Sequence, residues 1–174
     1  MNKKNNIKII TTLSILASLS SIVSIIDKII ISCIFPYIPG IKIGLANVIT
    51  LYSIYNVKFR YAFIEVIIKI IITSLIFGSI TSFIIGGLSS LISFFAMYIF
   101  FRYLSNKLSI IAISIIGGFV HINSQLLVTK YIYKLGNEVY TYGVILIIIS
   151  LITSIMVGVI TKKLNNIKFL QKIH

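Results

Sequence analysis

Acidic residues are nearly missing from this chain of 174 residues: Asp and Glu together number 3, against 16 Lys and Arg. The lone aspartate is Asp27, and the glutamates are Glu65 and Glu138. Such scarcity excludes a paired-carboxylate acid–base site. It also excludes the Asp cluster that holds Mg²⁺ for ionising an allylic diphosphate. One cysteine, Cys33, rules out an internal disulfide and any Cys-rich metal site. Two histidines, His121 and His174, build no zinc motif. There is no phosphate-cradling Gly-rich loop closing on Lys-Ser/Thr, so the chain does not hydrolyse ATP itself. No residue is therefore read as catalytic, as a metal ligand or as the holder of a cofactor.

Charge is scarce overall. Only 11% of residues are charged, where a soluble domain has about 25%. What fills the chain instead is apolar: 58% of residues, with a mean hydropathy of +1.08. A soluble fold cannot cover that much apolar surface, so the sequence describes an integral membrane protein whose first partner is the lipid bilayer. The net charge of +13 would suit nucleic acid. Lysines clustered at the ends of apolar runs fit membrane orientation better, and no nucleic-acid partner is expected. The excess of Ile, Asn and Lys over Leu, Ala and Arg fits an AT-rich bacterial genome and carries nothing about function.

Six apolar segments can be drawn, at about 8–26, 43–57, 61–78, 81–101, 108–130 and 141–161, each near the ~20 residues that cross a bilayer. The expected fold is all-α, one membrane domain over 1–174, a polytopic bundle of six transmembrane helices. Lys3 and Lys4 before the first run resemble a signal peptide, but no small-x-small cleavage site follows, so the run is read as a retained helix. Ile-Ile-Ser-Cys at 30–33 loosely mimics a lipoprotein box, yet Asp27 and Lys28 interrupt the apolar run before it.

An even number of spans puts both termini on the side of the loops after the second and fourth segments. That side gathers Lys3, Lys4, Lys8, Lys58, Arg60, Arg102, Lys107, Lys162, Lys163, Lys168 and Lys172, with no acid. The other side has Lys28, Lys42, Lys130 and Lys134, offset by Asp27 and Glu138. The bias predicts cytoplasmic termini in a multi-pass protein of the bacterial plasma membrane. The stretch FPYIPGIKIGLAN (35–47), which holds both prolines, Pro36 and Pro39, then lies at the outer face. Its prolines restrict the backbone, while Gly40 and Gly44 let the chain turn and let other groups approach closely.

Polar side chains inside a bilayer mark the bundle interior or a cavity. Glu65 and Lys69, four apart in the third segment, form an intramembrane ion pair by spacing, serving either self-compensation or a substrate or coupling role. In the fifth segment His121 and Gln125 lie one turn apart in the outer half, with Asn123 and Ser124 nearby. Asn47 and Lys42 share that outer half, which outlines a polar pocket facing outward. Ser14, Ala17, Ser18 and Ser21 form a strip of small side chains on the first segment, suited to internal packing or to docking a partner membrane helix.

Asp27-Lys28 followed by Pro39-Gly40-Ile41-Lys42-Ile43-Gly44-Leu45-Ala46-Asn47 resembles the signature of a bacterial membrane family. That family is called heptaprenyl diphosphate synthase component I, and also the Gx transporter family. Lys69, Gly86-Gly87, Ser114-x-x-Gly117, His121 and Gln125 extend the resemblance over nearly the whole chain. Ile122 and Ser124 depart from the family's usual Asn and Gly, and a proline usual near the sixth segment is absent around Gly143.

The second family name implies kinship with the substrate-binding (S) subunits of energy-coupling-factor transporters. Those are six-helix proteins that capture vitamins from outside and dock on an ATPase module with a membrane scaffold protein. On that resemblance the expected function is capture of a small, vitamin- or flavin-like molecule at the extracytoplasmic face. Pro39, Gly40, Lys42, Gly44, Asn47, His121 and Gln125 would form the site. Lys42 would attract an anionic group, and Asn47 and Gln125 would give directional hydrogen bonds. The first family name implies the alternative, a non-catalytic membrane component of polyprenyl diphosphate synthesis that holds a soluble partner enzyme.

Overall fold

Ile is the commonest side chain of the apolar runs, and its branched β-carbon ordinarily favours strands. In hydrocarbon that preference is overridden, because each backbone N–H and C=O must find its partner within the segment, and only a helix achieves this locally. The computed structural model describes residues 3–34, 44–77, 80–134, 136 and 138–167. It is all-α: α1 (Lys3–Ile34), α2 (Asn47–Asn56), α3 (Phe59–Phe77), α4 (Ile80–Leu104), α5 (Ile110–Tyr133) and α6 (Glu138–Ile167).

All six expected helices exist, but they are not six equal spans. Ile7–Ile34, Ile80–Leu104, Ile110–Tyr133 and Gly143–Ile167 are long and apolar enough to cross a membrane. α3, with 19 residues, reaches about 28 Å but carries Arg60, Glu65 and Lys69. α2 has 10 residues and spans only about 15 Å, half of the hydrocarbon thickness. α1 departs most from expectation. It does not stop before Asp27 but continues through Asp27 and Lys28 to Ile34. Both charges find partners on neighbouring elements, so the helix has no reason to end there.

The bundle's polarity is inverted relative to a soluble protein. Ile7, Leu75, Ile80, Ile152 and many other large apolar side chains point outward, while Asp27, Glu65, Lys69, His121 and Gln125 are buried. Tyr103 and Tyr131, at the ends of α4 and α5, are among the most exposed side chains. Each stands beside a basic residue (Arg102, Lys130), as aromatic and cationic groups do at a membrane–water interface.

α2 lies at the centre and packs on all five other helices. Every residue of it except Tyr55 is buried. Leu51 and Ile54 join Val66 and Ile70 of α3, Phe94 and Met97 of α4 and Ile113 of α5 in the main apolar core. On another side, Val48, Ile49 and Tyr52 meet Leu16 of α1 and Val157 of α6. Between these apolar faces, polar residues recur at every third position of α2 and wind around it. Asn47 lies beside Gly44, Thr50 accepts from Lys69 of α3 at 3.0 Å, and Asn56 donates to Asn165 of α6 at 3.1 Å.

α5 and α6 approach closely because small residues line their crossing, as in membrane helix pairs generally. A β-carbon on Gly158 would stand 2.7 Å from Ile111 Cα, and one on Gly118 would overlap Ser154. Short backbone separation lets hydroxyls cross over: Ser114 Oγ donates to the Ser154 carbonyl at 2.7 Å, and Ser150 Oγ to the Gly118 carbonyl at 3.1 Å.

Candidate functional site

The site is built from the end of α1. Asp27 is 1% exposed, and its Oδ2 accepts the backbone N–H of Gly44 at 2.7 Å and of Leu45 at 3.1 Å. Those N–H groups precede α2, whose first turn closes with Asn47 N–H donating to the Gly44 carbonyl at 2.9 Å. A carboxylate here caps a helix start from another helix and complements the positive end of its dipole. The clasp bridges 17 residues of chain and fixes where α2 begins.

Gly44 adopts φ +95°, a conformation that L side chains rarely take. It is also the point of closest approach to α5: an added β-carbon would lie 3.0 Å from Asn47 Nδ2 and 3.3 Å from His121 Cδ2. Glycine is required twice over, for the turn and for the contact. Asp27 thereby seats Gly44 against the His121 ring, with the Asn47 amide alongside.

His121 and Gln125 are both buried on α5, and Gln125 Nε2 lies 3.1 Å from His121 Nε2. With the amide nitrogen as donor, Nε2 is the acceptor and the imidazole proton sits on Nδ1. Four residues singled out by sequence, Gly44, Asn47, His121 and Gln125, thus form one contiguous polar group. It sits where the start of α2 meets the middle of α5. Pro39, Gly40 and Lys42 lie outside the described residues.

A second polar group lies deeper. Glu65 and Lys69 share a face of α3 and are both buried, but Lys69 Nζ turns to Thr50 Oγ1 of α2. Among the described residues neither Glu65 oxygen has a hydrogen-bond partner of good geometry. Between α1, α3 and α4 runs a small cavity of about 10 Å³, lined by Ser24, Lys69, Thr73, Ser82 and Ser90 among others, with Lys28 Nζ donating to Ser82 Oγ at 2.8 Å. The strip of small residues on α1 divides: Ala17 and Ser21 face the bundle, whereas Ser14 and Ser18 are exposed.

Sequence reasoning missed the clasp, reading Asp27 as an outer charge, a break in the apolar run and part of the family signature. The available signal was an acid inside an apolar run followed by the turn-forming Gly44. It also missed Thr50, which looks unremarkable until α2 is seen to be central.

Amides and an imidazole can give directional hydrogen bonds, and among the described residues no group of three or more His, Cys, Asp or Glu could hold a metal. Long apolar helices, an outward-facing apolar surface and a buried polar interior define a helical membrane protein. More narrowly, the chain belongs to the heptaprenyl diphosphate synthase component I family, whose model matches residues 16–164. No curated protein and no solved structure matches it.

Proposed function

We propose that the chain is a membrane substrate-binding or transport subunit, akin to the S subunits of energy-coupling-factor transporters. In this reading the chain crosses the bacterial plasma membrane six times, with both termini cytoplasmic. The Asp27 end faces outward and receives a small vitamin- or flavin-like molecule. Energy comes from a separate ATPase module and its membrane scaffold protein.

The observation that carries the reading is the contiguous group Gly44–Asn47–His121–Gln125, seated by Asp27 where α2 begins. A buried cluster of neutral hydrogen-bonding side chains in an apolar bundle is the usual make-up of a small-molecule site. Pro39, Gly40 and Lys42, just before Gly44 in the chain, would complete it, with Lys42 drawing an anionic group of the ligand. The exposed Ser14 and Ser18 would take part in docking a partner helix.

The test is mass spectrometry of small molecules that co-purify with the protein in mild detergent, repeated for His121→Ala and Asn47→Ala. A discrete molecule lost from both variants, with membrane insertion intact, is the expected result. Equal retention by the wild type and both variants overturns the site. Co-purification with a prenyl synthase in place of an ATPase module would instead favour a non-catalytic role in polyprenyl diphosphate synthesis.

A further inference from the structure

Glu65 is fully buried on α3, and among the described residues neither carboxylate oxygen has a hydrogen-bond partner of good geometry. The groups that act on it are the Lys69 ammonium and the hydroxyls of Ser20 on α1 and Thr50 on α2. Ser20 Oγ is itself buried, with no hydrogen-bond partner of good geometry among the described residues. A bare carboxylate at membrane depth is costly and marks a functional group. Lys69, one turn along, is the obvious counter-charge, yet its ammonium hydrogen-bonds Thr50 Oγ1 at 3.0 Å. Lys69 is acted on by Glu65 first and by Asp27 of α1 second. The other charges of the packed elements are Lys3, Lys4, Lys8 and Lys28 on α1, Arg60 on α3 and Arg102 in the last turn of α4, while α2 has none.

The hydroxyl-lined cavity between α1, α3 and α4 reaches Lys69, one turn along α3 from Glu65. Ser82, to which Lys28 donates, and Lys69 both form part of its wall. Thr73 Oγ1 in that wall donates to the Lys69 carbonyl at 2.8 Å, so its lone pairs remain as acceptors. The cavity's ~10 Å³ is about the room one water needs.

We propose that Glu65, with the hydroxyls of Ser20 and Thr50, takes a small monovalent cation, sodium or a proton, admitted through this cavity past Lys69. One carboxylate with neutral hydroxyls offers too little charge for a divalent ion, and it lacks the nitrogen or sulfur that transition metals select. An arriving cation neutralises Glu65 and competes with the Lys69 ammonium for Thr50 Oγ1. The site is separate from the Gly44–His121 group, so the inference stands or falls independently of substrate capture.

The test uses the full chain in detergent, with two readouts. First, the thermal unfolding midpoint is followed as NaCl replaces choline chloride at constant ionic strength and pH. Sodium binding raises it saturably, Glu65→Gln abolishes the rise, Ser32→Ala at an exposed position of α1 keeps it, and Ser20→Ala weakens the apparent sodium affinity about tenfold, the worth of one polar contact. Ser20→Ala leaves every charge in place, so it reports on the site even if Glu65→Gln is not recovered folded. Second, infrared spectroscopy at neutral pH seeks the carbonyl band of a protonated carboxyl. A band absent from Glu65→Gln identifies the proton as the cation. A midpoint indifferent to sodium together with no such band overturns the proposal, leaving Lys69 alone to neutralise Glu65. A sodium effect that survives in Glu65→Gln overturns it equally.

Discussion

Asp27 on α1 holds the Gly44 backbone N–H at 2.7 Å, and this one contact decides where the central helix begins. The acid sits inside a membrane helix, yet it belongs functionally to the start of α2. Removing it should therefore unseat α2 rather than shorten α1. Asp27→Ala leaves the buried Gly44 N–H and the part-buried Leu45 N–H without this acceptor, the first at roughly 1–3 kcal/mol and the second at less. Asp27→Asn keeps one acceptor oxygen and should cost less. Thermal unfolding in detergent should rank the wild type above Asp27→Asn and that above Asp27→Ala. Equal midpoints for the wild type and Asp27→Ala would show that the clasp contributes nothing.

Gly44 should tolerate no side chain. At φ +95° even alanine is strained, by about 1–2 kcal/mol for left-handed backbone. Its β-carbon would also press on Asn47 and His121 at 3.0 and 3.3 Å. Gly44→Ala should lower the unfolding midpoint and shift the His121 ring resonances in NMR. Unchanged ring resonances would separate the turn from the site.

How much of this was legible in the sequence differs from residue to residue. Apolar runs broken by lysines marked all six helices, because the membrane leaves the backbone no other structure. His121 and Gln125 could be paired from their spacing of four on one helix. The helix positions of Glu65 and Lys69 were equally legible, but spacing could not reveal that Thr50, on a different helix, takes the ammonium. Asp27 was hardest to read. Its partners are backbone N–H groups 17 and 18 residues later, and backbone leaves no residue-type signature. The same ignorance ended α1 too early, since a charge pair closes a membrane helix only when nothing inside the bundle receives it.

The two helix-packing glycines Gly158 and Gly87 should respond differently to the same change. A β-carbon on Gly158 meets the backbone of Ile111 at 2.7 Å, which moves only if the α5–α6 crossing moves. On Gly87 it meets only Ile70 Cγ2, at 3.2 Å, a contact that a shift of a few tenths of an ångström relieves. Gly158→Ala should cost about 1–3 kcal/mol by overpacking, whereas Gly87→Ala should lie near neutral. Comparable midpoints for the two variants would mean that α5 and α6 are not held as tightly as their hydroxyl crossovers imply.

Cys33 offers a direct test of orientation without any mutation. It is the only cysteine of the chain, so a thiol reagent reports on one position. It is exposed, one residue before the end of α1. At 32 residues α1 is about 48 Å long, well beyond a hydrocarbon core of about 30 Å. If the lysine-rich start of α1 is cytoplasmic, its far end emerges on the outer side and carries Cys33 into reach of water. Thiol alkylation requires that access, because the thiolate is the reacting form. A membrane-impermeant maleimide should therefore label Cys33 on intact cells, and prior treatment with a small impermeant thiol reagent should block it. Labelling only after permeabilisation would place Cys33 inside and reverse the bundle. The Gly44–His121 group would then face the cytoplasm, and outward capture of a ligand would have to be abandoned even if the fold stood unchanged.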